Sequence, residues 1–340
     1  AELDAAEINA ALETLVAQSD NTIEVEDLPH ESSFSEQGSR LVSHQASVEL
    51  RPAVFSGSIA TDWRITSFSS LTRDIHQAPH SGSNANSSDP ILTFAAGSHV
   101  GLFLHHLLEH LDFQGDIDAQ AIELNKRFAL RFGFDARRQQ DTVVAWMHNI
   151  VSTPLNDTGL RLSQLSRRQR LDELEFDFAI DQVRVETLNR ILGESAGVPL
   201  SPVTVEDFRG MITGIIDLVF EHEGRYYIAD YKSNFLGTQL DDYAPDKLRR
   251  AILDRRYDLQ YLLYVLALHR YLRQRVRVYD YSRHMGGVYY LFLRGLRPAS
   301  GPRYGVFHEL PSPELIEKLD QQVFAYRDMD AEALAAGSAT

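Results

Sequence analysis

The sequence predicts an α/β domain in which helices flank a central mixed β-sheet, with a tail at the N-terminus. Residues 173–180 alternate between polar and apolar side chains, which is typical of a half-buried strand. Residues 211–220 and 225–232 are apolar segments on either side of a polar turn, and we interpret them as paired strands. From about residue 246 to 273, leucines recur at helical spacing and predict a long helix packed on the sheet.

The other elements follow in chain order. Residues 4–18 predict a short amphipathic helix, and residues 98–112 predict an apolar helix that Ser98 can cap. Between them, residues 77–90 are rich in Ser, Asn and Pro and predict a loop. Residues 287–293 predict a buried strand that completes the sheet.

The acidic charge of the chain is concentrated near its N-terminal end. The net charge is −15, and residues 1–39 hold ten acids with no Lys or Arg. The other 301 residues carry 38 acids and 33 bases, so the body is close to neutral. We therefore expect an acidic N-terminal segment over residues 1–52 and a folded domain over residues 53–340. Because the first residue is Ala rather than Met, we also expect a piece of a longer polypeptide.

Several classes of function are excluded by composition. The chain contains no cysteine, which excludes disulfides, zinc–thiolate sites and thiol catalysis and accords with a reducing, cytoplasmic compartment. No apolar run approaches the roughly 18 residues of a membrane span, so we expect no membrane partner. The sequence also lacks a Gly-x-x-x-x-Gly-Lys-Ser/Thr phosphate loop, so ATP chemistry is not expected of it.

The predicted hairpin carries the residues that point to a chemistry. If Phe220 pairs with Arg225 across a four-residue turn, Asp217 lies opposite Ile228. Opposed residues share a face of the sheet, and so do residues two apart on one strand. Three polar side chains then project from the same face: Asp217, Asp230 and Lys232. A one-residue bulge would change this register.

This cluster has the composition of a metal centre for phosphodiester hydrolysis. Asp217 lies among apolar residues, and a buried carboxylate costs several kcal/mol unless something compensates it. A divalent cation compensates two neighbouring carboxylates, and an all-oxygen site suits Mg²⁺. Lys232, one of only four lysines in the chain, would add positive charge beside the reacting phosphate. The alternative is a structural ion pair on a half-exposed hairpin.

These residues resemble the core of the PD-(D/E)XK nuclease superfamily, in which one strand carries an Asp and the next carries acid-x-Lys. Over about residues 61–330 the chain is similar to the C-terminal nuclease domain of RecB-type helicase-nucleases (exodeoxyribonuclease V). The similarity rests on ordered phrases: Gly214-Ile-Ile-Asp-Leu-Val-Phe, Asp230-Tyr-Lys-Ser-Asn-Phe-Leu-Gly, Arg256-Tyr-Asp-Leu-Gln-Tyr-Leu-Leu-Tyr and Gly286-Gly-Val-Tyr-Tyr-Leu-Phe-Leu-Arg-Gly. The resemblance implies a restriction-endonuclease-like core.

The resemblance also implies a set of metal ligands. In the family, an upstream helix supplies a histidine from a Gly-x-x-x-His-x-x-x-Glu pattern, which stands here as Gly101, His105 and Glu109. Residues four apart share a helix face, and Gly101 would let this helix approach the sheet closely. The backbone carbonyl between the second acid and the lysine is a further family ligand. The implied metal ligands are His105, Asp217, Asp230 and the Tyr231 carbonyl.

Other residues are expected to support the site or to bind substrate. Gln260 and Tyr264 match the family's Gln-x-x-x-Tyr motif and should contact DNA or buttress Lys232. An acid on an earlier strand belongs near the site, and Glu173 and Glu175 are both candidates. Two arginine clusters are candidate phosphate contacts, with Arg256 expected to bind substrate: Arg249, Arg250, Arg255 and Arg256, and Arg161, Arg167, Arg168 and Arg170.

The function implied by the resemblance is that of a Mg²⁺-dependent deoxyribonuclease acting preferably on single-stranded DNA in double-strand-break repair and recombination. The implied partners are the RecC and RecD subunits and RecA, and residues 1–52 would join the domain to a helicase part outside this sequence. One alternative is a catalytically silent nuclease-fold domain that binds RecC or RecA. Another is a structure-specific endonuclease such as a resolvase.

Overall fold

The structure is a computed structural model that describes residues 4–19, 22–26, 63–75 and 87–326. The chain divides into two units, residues 1–58 and 59–340. In the first unit, helix α1 spans Ala5–Gln18 and confirms the predicted N-terminal helix. The predicted division at residue 52 and most of the predicted loop at 77–90 lie outside the described residues.

The second unit contains the predicted mixture of helices and strands. Its described strands are β1 Trp63–Thr66, β2 Arg170–Val183, β3 Phe208–His222, β4 Arg225–Lys232, β5 Met285–Phe292 and β6 Val306–Glu309. Its described helices are α2 Phe68–Leu71, α3 Ser98–His110, α4 Ile117–Phe128, α5 Ala136–Ser152, α6 Val185–Ala196, α7 Pro245–Asp254, α8 Tyr257–Arg275, α9 Tyr281–His284 and α10 Pro313–Lys318. The fold prediction of a mixed sheet flanked by helices is confirmed.

Strand β3 organises the six-stranded sheet described by the structure. Along one edge it pairs with β2, antiparallel. Its other edge is shared, because β1 pairs in parallel with residues 209–212 and β4 pairs antiparallel with residues 218–222. Residues 213–217 of β3 therefore have no strand partner on that edge among the described residues. Beyond β4, the sheet continues through β5 and β6.

Apolar layers cover both faces of the sheet. At one point of β3, side chains two residues apart pack into different layers. Helices α6–α8 pack with one core cluster, and helices α3–α5 pack with the other. On β3, Ile216 belongs to the α6–α8 layer, whereas Leu218 belongs to the α3–α5 layer. Opposite the intervening Asp217, Glu173 of β2 has a left-handed φ of +50°, which interrupts the regular ladder. Asp217 thus lies at a local distortion of the sheet.

Three local sequence predictions were wrong. The hairpin turn has two residues rather than four, since His222 pairs with Arg225, and Glu223 and Gly224 both have positive φ. The last pair of the ladder is Leu218 with Ala229, so Ile228 pairs with Val219, and Asp217 lies one residue beyond the ladder. Strand side chains repeat every two residues, so a shift of two keeps the paired residues on their predicted faces.

The other two errors concern helix ends. The helix predicted over residues 246–273 is two helices, α7 and α8, which are separated at Arg256 in a left-handed conformation with a φ of +53°. Ser98 is the first residue of α3 rather than its cap, since Gly97 occupies the cap position and no side chain caps the helix there.

Gly210 is expected to be essential for the junction of β1 and β3. Its φ is +129°, and a Cβ atom there would lie 2.2 Å from the Arg64 carbonyl oxygen. Gly210→Ala should therefore lower the free energy of unfolding by about 1–3 kcal/mol, measured by urea denaturation. Gly193→Ala is the control, because Gly193 lies inside α6 with nothing near the new Cβ, so alanine should stabilise by about 0.5–1 kcal/mol. Equal effects of the two substitutions would contradict this assignment.

Candidate active site

The distorted part of the sheet brings together the five predicted catalytic and metal-binding residues. His105 Nδ1 lies 3.4 Å from Asp217 Oδ1, and Lys232 Nζ lies 2.6 Å from Asp230 Oδ2. The Tyr231 backbone joins the two halves of the cluster. Its N–H donates to Asp217 Oδ2 at 2.7 Å, and its carbonyl oxygen lies 2.8 Å from His105 Nε2.

Local backbone features explain why these atoms meet. Residues 213–217 of β3 are free of β1 and β4, so the Asp217 carboxylate can turn towards the Tyr231 backbone. Helix α3 can approach the end of β4 because residue 101 is glycine. A Cβ atom on Gly101 would lie 2.9 Å from Ser233 Oγ. The predicted close approach of this helix is confirmed, and it is what carries His105 to the sheet.

Asp230 is the most deeply buried acid of the cluster, at 2% exposure. Burial raises the pKa of its carboxyl to about 6, although the Lys232 charge opposes the rise and Asp217 adds to it. Oδ2 is paired with the Lys232 ammonium at 2.6 Å. The buried carboxylate therefore depends on nearby positive charge.

The two basic groups of the cluster respond to these carboxylates. Burial lowers the pKa of His105, but the charges of Asp217 and Asp230 outweigh burial and bring it above its ordinary value. Burial likewise opposes the charge of Lys232, and the Asp230 carboxylate outweighs it, so the pKa of Lys232 is also raised. Lys232 is therefore a fixed cation at neutral pH and not a base.

A cage of polar and aromatic side chains fixes the Lys232 ammonium. Nζ donates to Gln260 Oε1 at 2.8 Å, and the Gln260 amide donates to the Tyr264 hydroxyl at 3.0 Å. The ammonium also lies 4.1 Å from the ring centre of Tyr257 and 4.8 Å from that of Tyr290, where cation–π attraction adds to its binding. Of the two predicted roles for the Gln260 and Tyr264 pair, this geometry favours support of Lys232.

The predicted ligands supply a donor set that a divalent cation can use. His105 Nε2 donates a hydrogen bond to the Tyr231 oxygen at 2.8 Å, so this nitrogen carries a proton that a bound cation would have to displace. The two carboxylates supply negative charge, and Asp230 is paired with Lys232 at 2.6 Å. His105, Asp217, Asp230 and the Tyr231 carbonyl would together hold the ion.

Arg256 does not lie with the other predicted site residues. It is only 1% exposed, and its guanidinium donates to the Asp258 carboxylate and to the Ser201 carbonyl. These bonds hold the left-handed start of α8, so Arg256 is a structural residue and the substrate-binding prediction for it was wrong.

Arg170 is likewise buried, over the Phe113 ring at 3.5 Å. The exposed members of the two predicted arginine clusters are Arg161, Arg167, Arg168, Arg249 and Arg250.

The structure also separates the two candidate acids of β2. Glu173 is opposite Asp217 in the strand register, and its pKa is raised by partial burial and by the charges of Glu109 and Asp217. Glu175 instead lines a separate groove beside Arg270 and Tyr271. Of these two candidates, Glu173 is therefore the one that lies near the cluster.

Arg294 is an architectural residue of the site that the sequence analysis missed. It follows β5 and is fully buried, yet its guanidinium donates to the carbonyl oxygens of Ser233, Ile91, Phe94 and Ala95. These bonds tie the segment after Lys232 to the segment before α3. The available signal was a charged residue directly after the apolar run of β5.

A second group of potential ligands lies on an adjacent face of α3. Ligand atoms of His106, Glu109 and His110 all lie within 4.8 Å of one another. The group is satisfied internally, because Glu109 Oε2 is 3.2 Å from His106 Nδ1 and His110 Nδ1 donates to the His106 carbonyl oxygen at 3.0 Å. It is distinct from the cluster around Asp217.

Comparison with known proteins identifies the family of the chain. A family model described as the PD-(D/E)XK nuclease superfamily matches residues 85–339, and the chain belongs to that superfamily. Within it, the chain is similar to proteins named RecBCD enzyme subunit RecB, with 38% identity over 298 residues for Escherichia coli (strain K12) and 37% over 303 residues for Haemophilus influenzae. The resemblance to the RecB nuclease domain is thereby confirmed.

These relatives are much longer than this chain. The two alignments cover 82% and 80% of the chain but only 25% and 24% of the relatives. A RecB of Mycobacterium tuberculosis (strain ATCC 25618 / H37Rv) shows 32% identity over 297 residues, with 73% and 27% coverage. The chain thus spans about a quarter of the length of the curated relatives it matches. Among its described helices, none is both long and apolar enough to cross a membrane.

The affinity of the cluster for Mg²⁺ should depend on pH. Protons compete with the ion for Asp230, whose pKa is about 6, and for His105, whose pKa is raised. Affinity measured by calorimetry should therefore be highest above pH 8 and fall as the pH drops through these pKa values, by about tenfold per pH unit for each proton displaced. His105→Asn should make the fall shallower near neutral pH. An affinity that stays constant between pH 5.5 and 8 would contradict this model.

Proposed function

We propose that this chain is a Mg²⁺-dependent DNA nuclease domain that hydrolyses phosphodiester bonds, preferably in single-stranded DNA. The observation that carries the proposal is the convergence of His105, Asp217 and Asp230 beside a caged Lys232. Membership of the nuclease superfamily supports the reaction class. The intact Asp, Asp-x-Lys and His set favours an active domain over a silent interaction domain.

Each residue has a distinct part in the proposed mechanism. His105, Asp217, Asp230 and the Tyr231 carbonyl would hold Mg²⁺. The chemistry supplied by the bound ion is activation of a water molecule and neutralisation of charge at the phosphate. Lys232 stays protonated and is fixed by Gln260, so its ammonium can donate to a phosphate oxygen as negative charge develops there. Because the cage sets its position in advance, little reorganisation is needed during the reaction.

The similarity to RecB supports a proposal about the biological setting. The relatives are named as subunits of the RecBCD enzyme, so we place this domain in a RecBCD-type assembly with RecC and RecD, acting in double-strand-break repair and recombination. RecA is the further partner that we propose. The Gln260 and Tyr264 pair beside Lys232 favours this reading over a resolvase.

A cleavage assay on the chain itself tests the proposal. Linear and circular single strands and a matched duplex are incubated with Mg²⁺, with Ca²⁺, or with EDTA. Cleavage of single strands in Mg²⁺ is expected, with little in Ca²⁺, because Ca²⁺ accepts irregular coordination and holds the attacking water less tightly. The proposal fails if Mg²⁺ supports no cleavage, and the proposed metal geometry fails if Ca²⁺ alone supports rapid cleavage.

The cleavage rates of substituted variants should distinguish residues of the catalytic cluster from neighbouring residues. Asp217→Asn, Asp230→Asn and Lys232→Ala should each lower the cleavage rate at least about 10²-fold. Double variants should be hardly worse than single ones, because the residues act as a unit. On β2, Glu173→Gln should slow cleavage, whereas Glu175→Gln, two residues away along the strand, is the control and should not. Circular dichroism checks folding, and a cluster variant with more than about a tenth of wild-type activity would remove that residue from the mechanism.

A further inference from the structure

The exposed surface beside α3 contains a basic segment, residues 126–138, that the sequence analysis did not single out. It runs from the end of α4 to the start of α5 and carries five bases and one acid in a chain whose net charge is −15. All five basic side chains are exposed: Lys126, Arg127, Arg131, Arg137 and Arg138. The carboxylate of the single acid, Asp135, caps α5 by accepting hydrogen bonds from the backbone N–H groups of Arg137 and Arg138.

The basic segment combines its charges with aromatic and apolar surface. The Arg127 guanidinium lies 4.9 Å from the centre of the Phe128 ring, and that of Arg131 lies 5.8 Å from the centre of the Phe132 ring. Between them, Leu130 is 85% exposed. Guanidinium planes and exposed apolar side chains give unpaired bases surfaces to stack on, and the charges match the phosphates of a strand. A duplex offers no unstacked bases to such a surface.

The segment is also placed next to the catalytic helix. The Phe128 ring lies 4.3 Å from that of His106, and the Phe134 ring stacks on His99 at 5.3 Å, so the segment packs along much of α3. His106 adjoins His105 in sequence. The basic segment is therefore separated from the metal ligands by roughly one helix diameter, about 10 Å.

We propose that residues 126–138 form a binding surface for single-stranded DNA that holds the strand next to the catalytic cluster. The role of this surface in holding a substrate rests on the proposed nuclease function, but binding to the surface requires neither Mg²⁺ nor cleavage. Phosphates contact Arg127 and Arg131, and neighbouring bases stack over the guanidinium planes and Leu130. The surface thus sets affinity for the strand without taking part in the chemistry.

Two matched double variants test this surface. Arg127→Gln with Arg131→Gln removes two exposed, ring-stacked charges from the segment. Arg275→Gln with Arg277→Gln removes two exposed arginines elsewhere, one of which lies 5.7 Å from the Tyr271 ring. This control pair begins about 22 Å along α8 from Gln260, at 1.5 Å per residue. Both pairs lower the net charge equally, so a purely long-range charge effect would be common to them.

Binding is measured in EDTA with a labelled oligothymidylate of about 20 nucleotides and with a hairpin duplex, from about 50 to about 200 mM salt. The Arg127 and Arg131 variant should bind the single strand at least about tenfold more weakly at low salt, and its slope of log K against log salt should shrink by about 1.4, for two lost phosphate contacts. The control pair should change binding less than about twofold. Indistinguishable behaviour of the two pairs, or an equal loss for the duplex, overturns the proposal.

A second readout keeps this result separate from the proposed function. Mg²⁺ affinity measured by calorimetry should be the same in the Arg127 and Arg131 variant and in the wild type, because neither arginine contacts the metal ligands. If the wild type binds the strand through this segment but does not cleave it in Mg²⁺, the surface stands and the nuclease proposal fails. If it cleaves DNA while the two variant pairs bind equally well, the nuclease proposal stands and the surface fails.

Discussion

The burial of the Asp230 carboxylate is the constraint around which the rest of the site is built. A carboxylate that is 2% exposed loses most of its hydration, and ionisation is correspondingly unfavourable, as its raised pKa shows. The Lys232 ammonium compensates only part of this cost, since Asp217 adds a second negative charge nearby. A site whose acids are only partly balanced by nearby positive charge favours binding of a divalent ion.

The surrounding contacts hold the charged side chains of the site in fixed positions. Gln260 and two aromatic rings hold Lys232, and the Tyr231 N–H holds one oxygen of Asp217. The acids and the ammonium therefore cannot move apart without breaking these contacts. Arg294 adds rigidity on a larger scale, because its carbonyl contacts tie the chain after Lys232 to the chain before α3.

The local chemistry of the hairpin could be predicted from sequence because strand periodicity is robust. The predicted register was wrong by two residues, which is the repeat of a strand, so the paired residues keep their predicted faces, and Asp217 still lies close to Asp230. Asp230 and Lys232 lie on one strand, so the prediction that they share a face did not depend on the turn. His105 could be assigned only through the family pattern, since a histidine on an apolar helix is more often a core residue than a metal ligand.

Features that depend on distant contacts could not be predicted in this way. The break before α8 needs a left-handed Arg256, which is held by Asp258 and by the Ser201 carbonyl 55 residues away. From sequence alone the leucine pattern runs through this break without interruption. Arg294 binds carbonyl oxygens about 200 residues earlier in the chain, and carbonyls carry no side-chain signature. The basic segment is contiguous in sequence, but its position along α3 depends on packing contacts of Phe128 and Phe134.

The proposed ligand set would have a mechanical consequence. His105 is on α3, in one helical layer, whereas Asp217, Asp230 and the Tyr231 carbonyl belong to the sheet. An ion shared by these groups would cross-link the helix to the sheet, and pulling them apart would then require its release. The work of separating them grows as RT ln(1 + [ion]/Kd), about 2.7 kcal/mol at a hundredfold excess of the ion over Kd. The catalytic ion would thus also stabilise the packing of α3 on the sheet, to a degree that depends on the magnesium concentration around the protein.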